Sequence, residues 1–144
     1  NVRGAGGSSG FKALGASTDG ADAAALCRYA LERMAHEVPS ADNRGGGDGA
    51  GGGELRGTVV LLAYSYGSCV ASEAMQQLAG QVEAFVSVGF PLGLLSRCFL
   101  SSHSAWDALM RARASCHLPC LMLMGTRDQF TSLGTLQAMV EEAL

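Results

Sequence analysis

A serine hydroxyl becomes an effective nucleophile only where a base can take its proton and the backbone holds it clear of its neighbours. Ser65 occupies such a place within residues 58–76, TVVLLAYSYGSCVASEAMQ, where an apolar run gives way to a helical pattern. Ala63 and Gly67 stand two positions to either side, so a strand and a helix can approach closely around a strained turn. A base histidine in turn needs a carboxylate to fix its tautomer and to stabilise the imidazolium. Asp128, just beyond the apolar run 119–124 and Gly125, is the natural carboxylate. The chain has three histidines, His36, His103 and His117. Each is expected to be solvated or capping, and only His103 has a place in the chain from which the Ser65 turn is within reach. A bland reading stands beside each candidate: a turn serine that caps the following helix, and a loop aspartate. Asp107 is a weaker acid, better explained as the capping partner of Ser104.

The elements that must position these groups follow from periodicity. Residues 58–63 are nearly all apolar and β-branched, as in a central parallel strand covered on both faces. Val70, Ala71, Ala74, Met75 and Leu78 then recur at helical steps. A second apolar strand spans 82–88 (VEAFVSV) and ends at Gly89-Phe90-Pro91; a third spans 119–124. The helix between the first two strands makes a βαβ unit, whose strands should be parallel. A covering helix is expected over 20–38, with Asp19 as its cap and Pro39 as its stop. Residues 92–102 read as a loop-like, lid-forming connection, followed by a helix over 104–113 and a last helix from about 132. Trp106 is assigned to the core. Strand and helix alternate throughout, which predicts a three-layer α/β/α sandwich with a mainly parallel sheet. Ser65, Asp128 and the Gly89–Pro91 turn all fall at carboxyl ends of strands, where such sheets bind ligands, so they should line one crevice. Tyr64, Phe90 and Pro91 are the candidate pocket residues.

Length and composition bound the rest. The 144 residues form a single domain with a low-complexity, glycine-rich surface insertion at about 40–56. A formal charge of −3 and scattered Lys and Arg leave no basic stripe for nucleic acid. No apolar run approaches the roughly 18 residues of a membrane span, so a soluble, cytoplasmic protein is expected. Cys27, Cys69, Cys98, Cys116 and Cys120 are an odd set, read as buried free thiols. Cys116-x3-Cys120 around His117 is at most half of a metal site. The opening residues NVRGAGGSSG suit a loop of close backbone approach; a phosphate loop is the sharper alternative but lacks the Walker lysine. A first residue that is not Met suggests part of a longer protein.

Three segments together resemble the α/β-hydrolase family: the turn AYSYG after an apolar strand, the strand and loop LMLMGTRD, and the opening NVRGAGGSSG, similar to the RG-x-G-x-S-x-G loop of many members. They span most of the chain in the family's order, and dienelactone-hydrolase-like and acyl-esterase-like members look closest. The resemblance implies Ser65 as nucleophile, Asp128 as triad acid and the backbone N–H of Tyr66 as half of an oxyanion hole, with an ester or related acyl substrate and no cofactor. It departs from the pattern in having Ala63 for the first glycine and no histidine after the acid, so the base and the second oxyanion donor would lie outside this chain. The rival expectations are an α/β-hydrolase-like binding or regulatory protein without a working triad and, more distantly, a nucleotide-binding α/β domain.

Overall fold

The computed structural model describes residues 7, 9, 16–37, 57–78 and 80–143. The element order is α1 (Ala16–Glu37), β1 (Val59–Tyr64), α2 (Tyr66–Met75), β2 (Val82–Val88), α3 (Leu94–Leu100), α4 (Ser102–Cys116), β3 (Cys120–Leu123) and α5 (Leu133–Glu142). The three strands form one sheet in the order β1-β2-β3, parallel throughout. The class is thus α/β, and the expected parallel βαβ unit is present. Apart from Gly7 and Ser9, the opening segment 1–10 lies outside the described residues, and so does the insertion at 40–56.

Register explains which face of the sheet is filled. Leu61 pairs with Phe85 and Ala63 with Ser87, while Phe85 and Ser87 pair on the other side with Cys120 and Met122. These rows face the helices. Phe85, Phe90, Leu92, Trp106, Leu109 and Leu136 are nearly or fully buried in the same cluster, with Leu61, Cys120 and Met122 packed against it. Trp106 and Phe90 stand perpendicular with ring centroids 5.5 Å apart, a favourable T-shaped pair, and the burial of both places Trp106 in the core.

Side chains alternate across a strand, so the intervening rows point the other way. Val60, Leu62, Tyr64, Leu121 and Leu123 are 59%, 74%, 75%, 53% and 46% exposed. Among the described residues, therefore, β1 is an edge strand covered on one face, not a central strand covered on both. An unbroken apolar run cannot distinguish the two cases, because its pattern has no period of two to read.

The helix after the Ser65 turn is held from several sides. A smaller cluster of Ala24, Ala74 and Leu78 joins α1 to α2. At Gly20 of α1 a Cβ would collide with the Cβ of Glu73 and crowd the N atom of Ala74, so this crossing requires glycine. Arg28 also donates to the Gln77 carbonyl at 2.9 Å, tying α1 to the turn that follows α2. Toward the sheet the contact is polar: Ser87 donates to the Ser68 hydroxyl at 2.8 Å, and Ser72 to the Ser68 carbonyl at 2.7 Å. All three serines are buried, and each hydroxyl has a partner.

Three local expectations are corrected. Residues 92–102 are not a loop: α3 fills most of them and ends at Ser101, whose left-handed backbone (φ 51°, ψ 33°) separates α3 from α4. A seven-residue helix is too short to show a periodic pattern. The Ser104–Asp107 capping box does not form; Ser104 lies inside α4 and its hydroxyl donates to the Ser101 carbonyl at 2.9 Å. Asp19 is not a cap, because α1 begins earlier, at Ala16. It sits in the first turn, 7% exposed. No helix among the described residues is long and apolar enough to cross a membrane.

Candidate active site

Ser65 is the single residue between β1 and α2. Its N–H donates to the Val88 carbonyl at 2.9 Å, and its own carbonyl accepts from Ser68 N–H at 2.8 Å. Its backbone is at φ 51°, ψ −126°. Among the described residues two other non-glycine positions have positive φ, Ser101 and His117, but their ψ values of 33° and 37° lie in the ordinary left-handed well. Ser65 lies outside that well, in a region costly for any residue bearing a Cβ, and such conformations persist where surrounding structure imposes them. The strain expected of a nucleophile turn is therefore present at Ser65. Ala63 is buried, whereas a Cβ on Gly67 would meet no atom within 4 Å, so crowding demands a small residue at the first position only.

Asp128 reaches the same place from β3. Its Oδ1 accepts from the backbone N–H groups of Phe130 and Thr131, both at 2.8 Å, which fixes the carboxylate in a tight local turn. Its Oδ2 has no hydrogen-bond partner among the described residues and lies 3.7 Å from where a Cβ on Gly89 would stand. Gly89, at φ +68°, turns the chain at the end of β2. The acid loop is also tied to that turn. The buried Thr131 hydroxyl donates to the Phe90 carbonyl at 2.8 Å and accepts from Leu92 N–H at 2.6 Å. Gly93 lies beneath the Phe130 carbonyl, where a Cβ would overlap it.

Ser65 and Asp128 line one open crevice of about 250 Å³, as expected from their positions at strand ends. Tyr64 forms part of its wall, together with Gly89, Arg127, Gln129 and Phe130. Phe90 and Pro91 do not line it. Phe90 is 1% exposed and packs on Trp106, because the positive φ of Gly89 directs the following residues back into the core. Arg127, Gln129 and Phe130 were not singled out from sequence; their adjacency to Asp128 was the available signal.

Tyr66 is the first residue of α2, so its backbone N–H points back along the helix axis toward the turn, at the positive end of the helix. Its side chain is turned toward α1, where the hydroxyl donates to Asp19 Oδ2 at 2.8 Å. Burial raises its ionisation well above the ordinary tyrosine range, and the bond to Asp19 and that residue's charge add to the effect. None of the histidines lines the crevice. His36 is exposed in the last turn of α1, His103 is exposed in the first turn of α4, and His117 is the exposed left-handed cap that ends α4.

All five cysteines are free thiols, but only Cys69 is buried; Cys98 and Cys116 are exposed. No group of His, Cys, Asp and Glu able to hold a metal occurs among the described residues, so Cys116, His117 and Cys120 do not converge. Comparison with known proteins adds no relative: no family model, curated protein or solved structure matches the chain.

Proposed function

We propose that this chain carries the nucleophile and acid of a serine hydrolase of the α/β-hydrolase type, acting on an ester or related acyl substrate. The observation that carries the reading is the backbone of Ser65, strained outside the left-handed well at a strand-to-helix junction that opens into the crevice holding Asp128. In this reading the Ser65 Oγ attacks the acyl carbonyl while a histidine from outside this chain takes its proton. Asp128 Oδ2 accepts the other N–H of that imidazole, and Oδ1 stays with Phe130 and Thr131. The oxyanion is held by the Tyr66 N–H, the positive end of α2 and a second donor from outside this chain. The histidine then protonates the leaving group, and water, deprotonated by the same base, releases the acid and restores Ser65. The helical layer that would cover Val60, Leu62 and Tyr64 and complete a three-layer sandwich belongs to the same proposal.

The test is reaction of the full-length protein with a fluorophosphonate probe. Labelling at Ser65, abolished by Ser65→Ala, is the expected result; a folded, histidine-containing parent that does not label would overturn the mechanism. One observation favours a second reading, a binding or regulatory protein that retains the crevice without turnover: no histidine lines the crevice. A parent that binds acyl ligands but leaves Ser65 unlabelled would support it.

A further inference from the structure

Asp19 is the only buried carboxylate among the described residues, and a carboxylate removed from water is costly unless a partner uses its charge. It lies in the first turn of α1, whose positive end favours it, and its Oδ2 accepts from the Tyr66 hydroxyl at 2.8 Å. The two residues are 47 apart in sequence, and neither lines the crevice. What joins them to it is position. Tyr66 directly follows Ser65, and its N–H is the oxyanion donor of the proposed mechanism. The neighbouring residue, Gly20, is where α1 bears on α2 against Glu73 and Ala74, so the Asp19–Tyr66 bond sits at a close, well-defined crossing.

A strained residue keeps its conformation only where its surroundings over-determine it. On one side of Ser65 the Val88 carbonyl holds the main chain. On the other, the Tyr66 ring is held at its far end by Asp19. We infer that Asp19 is a positioning residue for the oxyanion side of the site: through the Tyr66 hydroxyl it keeps the turn in the conformation that aims the Tyr66 N–H at the developing oxyanion. This rests on the serine hydrolase reading.

The test uses Asp19→Asn, Tyr66→Phe and the double variant of the full-length protein, with amide exchange at residues 65–68 and hydrolysis of p-nitrophenyl acetate as readouts. Deleting the bond in Tyr66→Phe should speed exchange at the turn, and lower kcat, by roughly tenfold, and removing only the charge in Asp19→Asn should do both to a smaller extent. Exchange in β2 and β3 should hold, KM should stay within about twofold, and the double variant should be no worse than Tyr66→Phe alone, since that change already deletes the bond whose charge Asp19→Asn removes. Tyr66→Phe deletes only the hydroxyl, and it keeps the test open should Asp19→Asn fold poorly. Unchanged exchange at the turn overturns the proposal whatever the activity does, and faster exchange with unchanged kcat overturns the positioning role. If exchange responds but the wild-type protein neither labels nor hydrolyses, the anchor stands as a structural contact and it is the hydrolase reading that fails.

Discussion

At the scale of single residues, the two oxygens of Asp128 divide the work. Oδ1 builds the loop, and Oδ2 is the oxygen that would meet the histidine of the proposed triad. Asparagine can keep the first task while losing the charge needed for the second. Asp128→Asn should therefore retain wild-type stability and lower the labelling rate of Ser65 by about 10²–10⁴-fold, as loss of a triad carboxylate does elsewhere. Asp128→Ala should lower the rate similarly and also cost about 1–3 kcal/mol in urea denaturation, because Phe130 and Thr131 N–H lose their acceptor. Cys69 supplies a different residue-scale signature. Burial pushes its thiol up to about 12 from 9.0, with the charge of Glu73 adding to the shift. The folded value exceeds the unfolded one, so this contribution to stability is complete below pH 9 and lost as pH rises toward 12. Cys69→Ala should flatten that part of the alkaline unfolding curve. At neutral pH a maleimide should modify Cys98 and Cys116 quickly, and Cys69 only after unfolding.

At the scale of elements, the crevice depends on how the ends of β2 and β3 are joined. Thr131 is the joint, so Thr131→Val keeps the shape and strands a buried carbonyl and N–H at Phe90 and Leu92. Thermal or urea unfolding should show a loss of about 1–3 kcal/mol for each stranded group, and under the proposed mechanism the labelling of Ser65 should fall as Asp128 loosens. Gly93→Ala should perturb the same loop by another route, by driving a methyl into the Phe130 carbonyl; two-dimensional NMR should show its shifts clustered at 128–131. The main elements were legible in sequence because their periods are long or their apolar runs continuous: α2, β2 and the core role of Trp106 needed no tertiary information. Elements set by a single backbone angle were not. Phe90 looked like a crevice residue until the φ of Gly89 turned it inward, and α3 was hidden between Pro91 and the left-handed Ser101. Asp19 sits where a cap was expected, but its role depends on a tyrosine from another helix, a long-range pairing that local pattern cannot show.

At the scale of the molecule, the sheet covered on one face among the described residues is the main departure from the sequence reading. Leu62 is 74% exposed on the open face, so Leu62→Lys should change the stability of this chain by less than about 0.5 kcal/mol while reducing its binding of a hydrophobic dye. A large loss of stability would mean that this face is filled in solution. On the covered face, the linked hydroxyls of Ser68 in α2 and Ser87 in β2 have a consequence beyond satisfying buried polar groups. Purely greasy surfaces can slide past one another with little change in energy, but a hydroxyl paired across the interface has one home position. Sliding α2 by a turn, about 5.4 Å, would break that pairing and carry the start of the helix away from Asp128. The Ser68–Ser87 pair thus acts as a detent, holding Ser65 at a set depth in its groove while the surrounding contacts supply only adhesion.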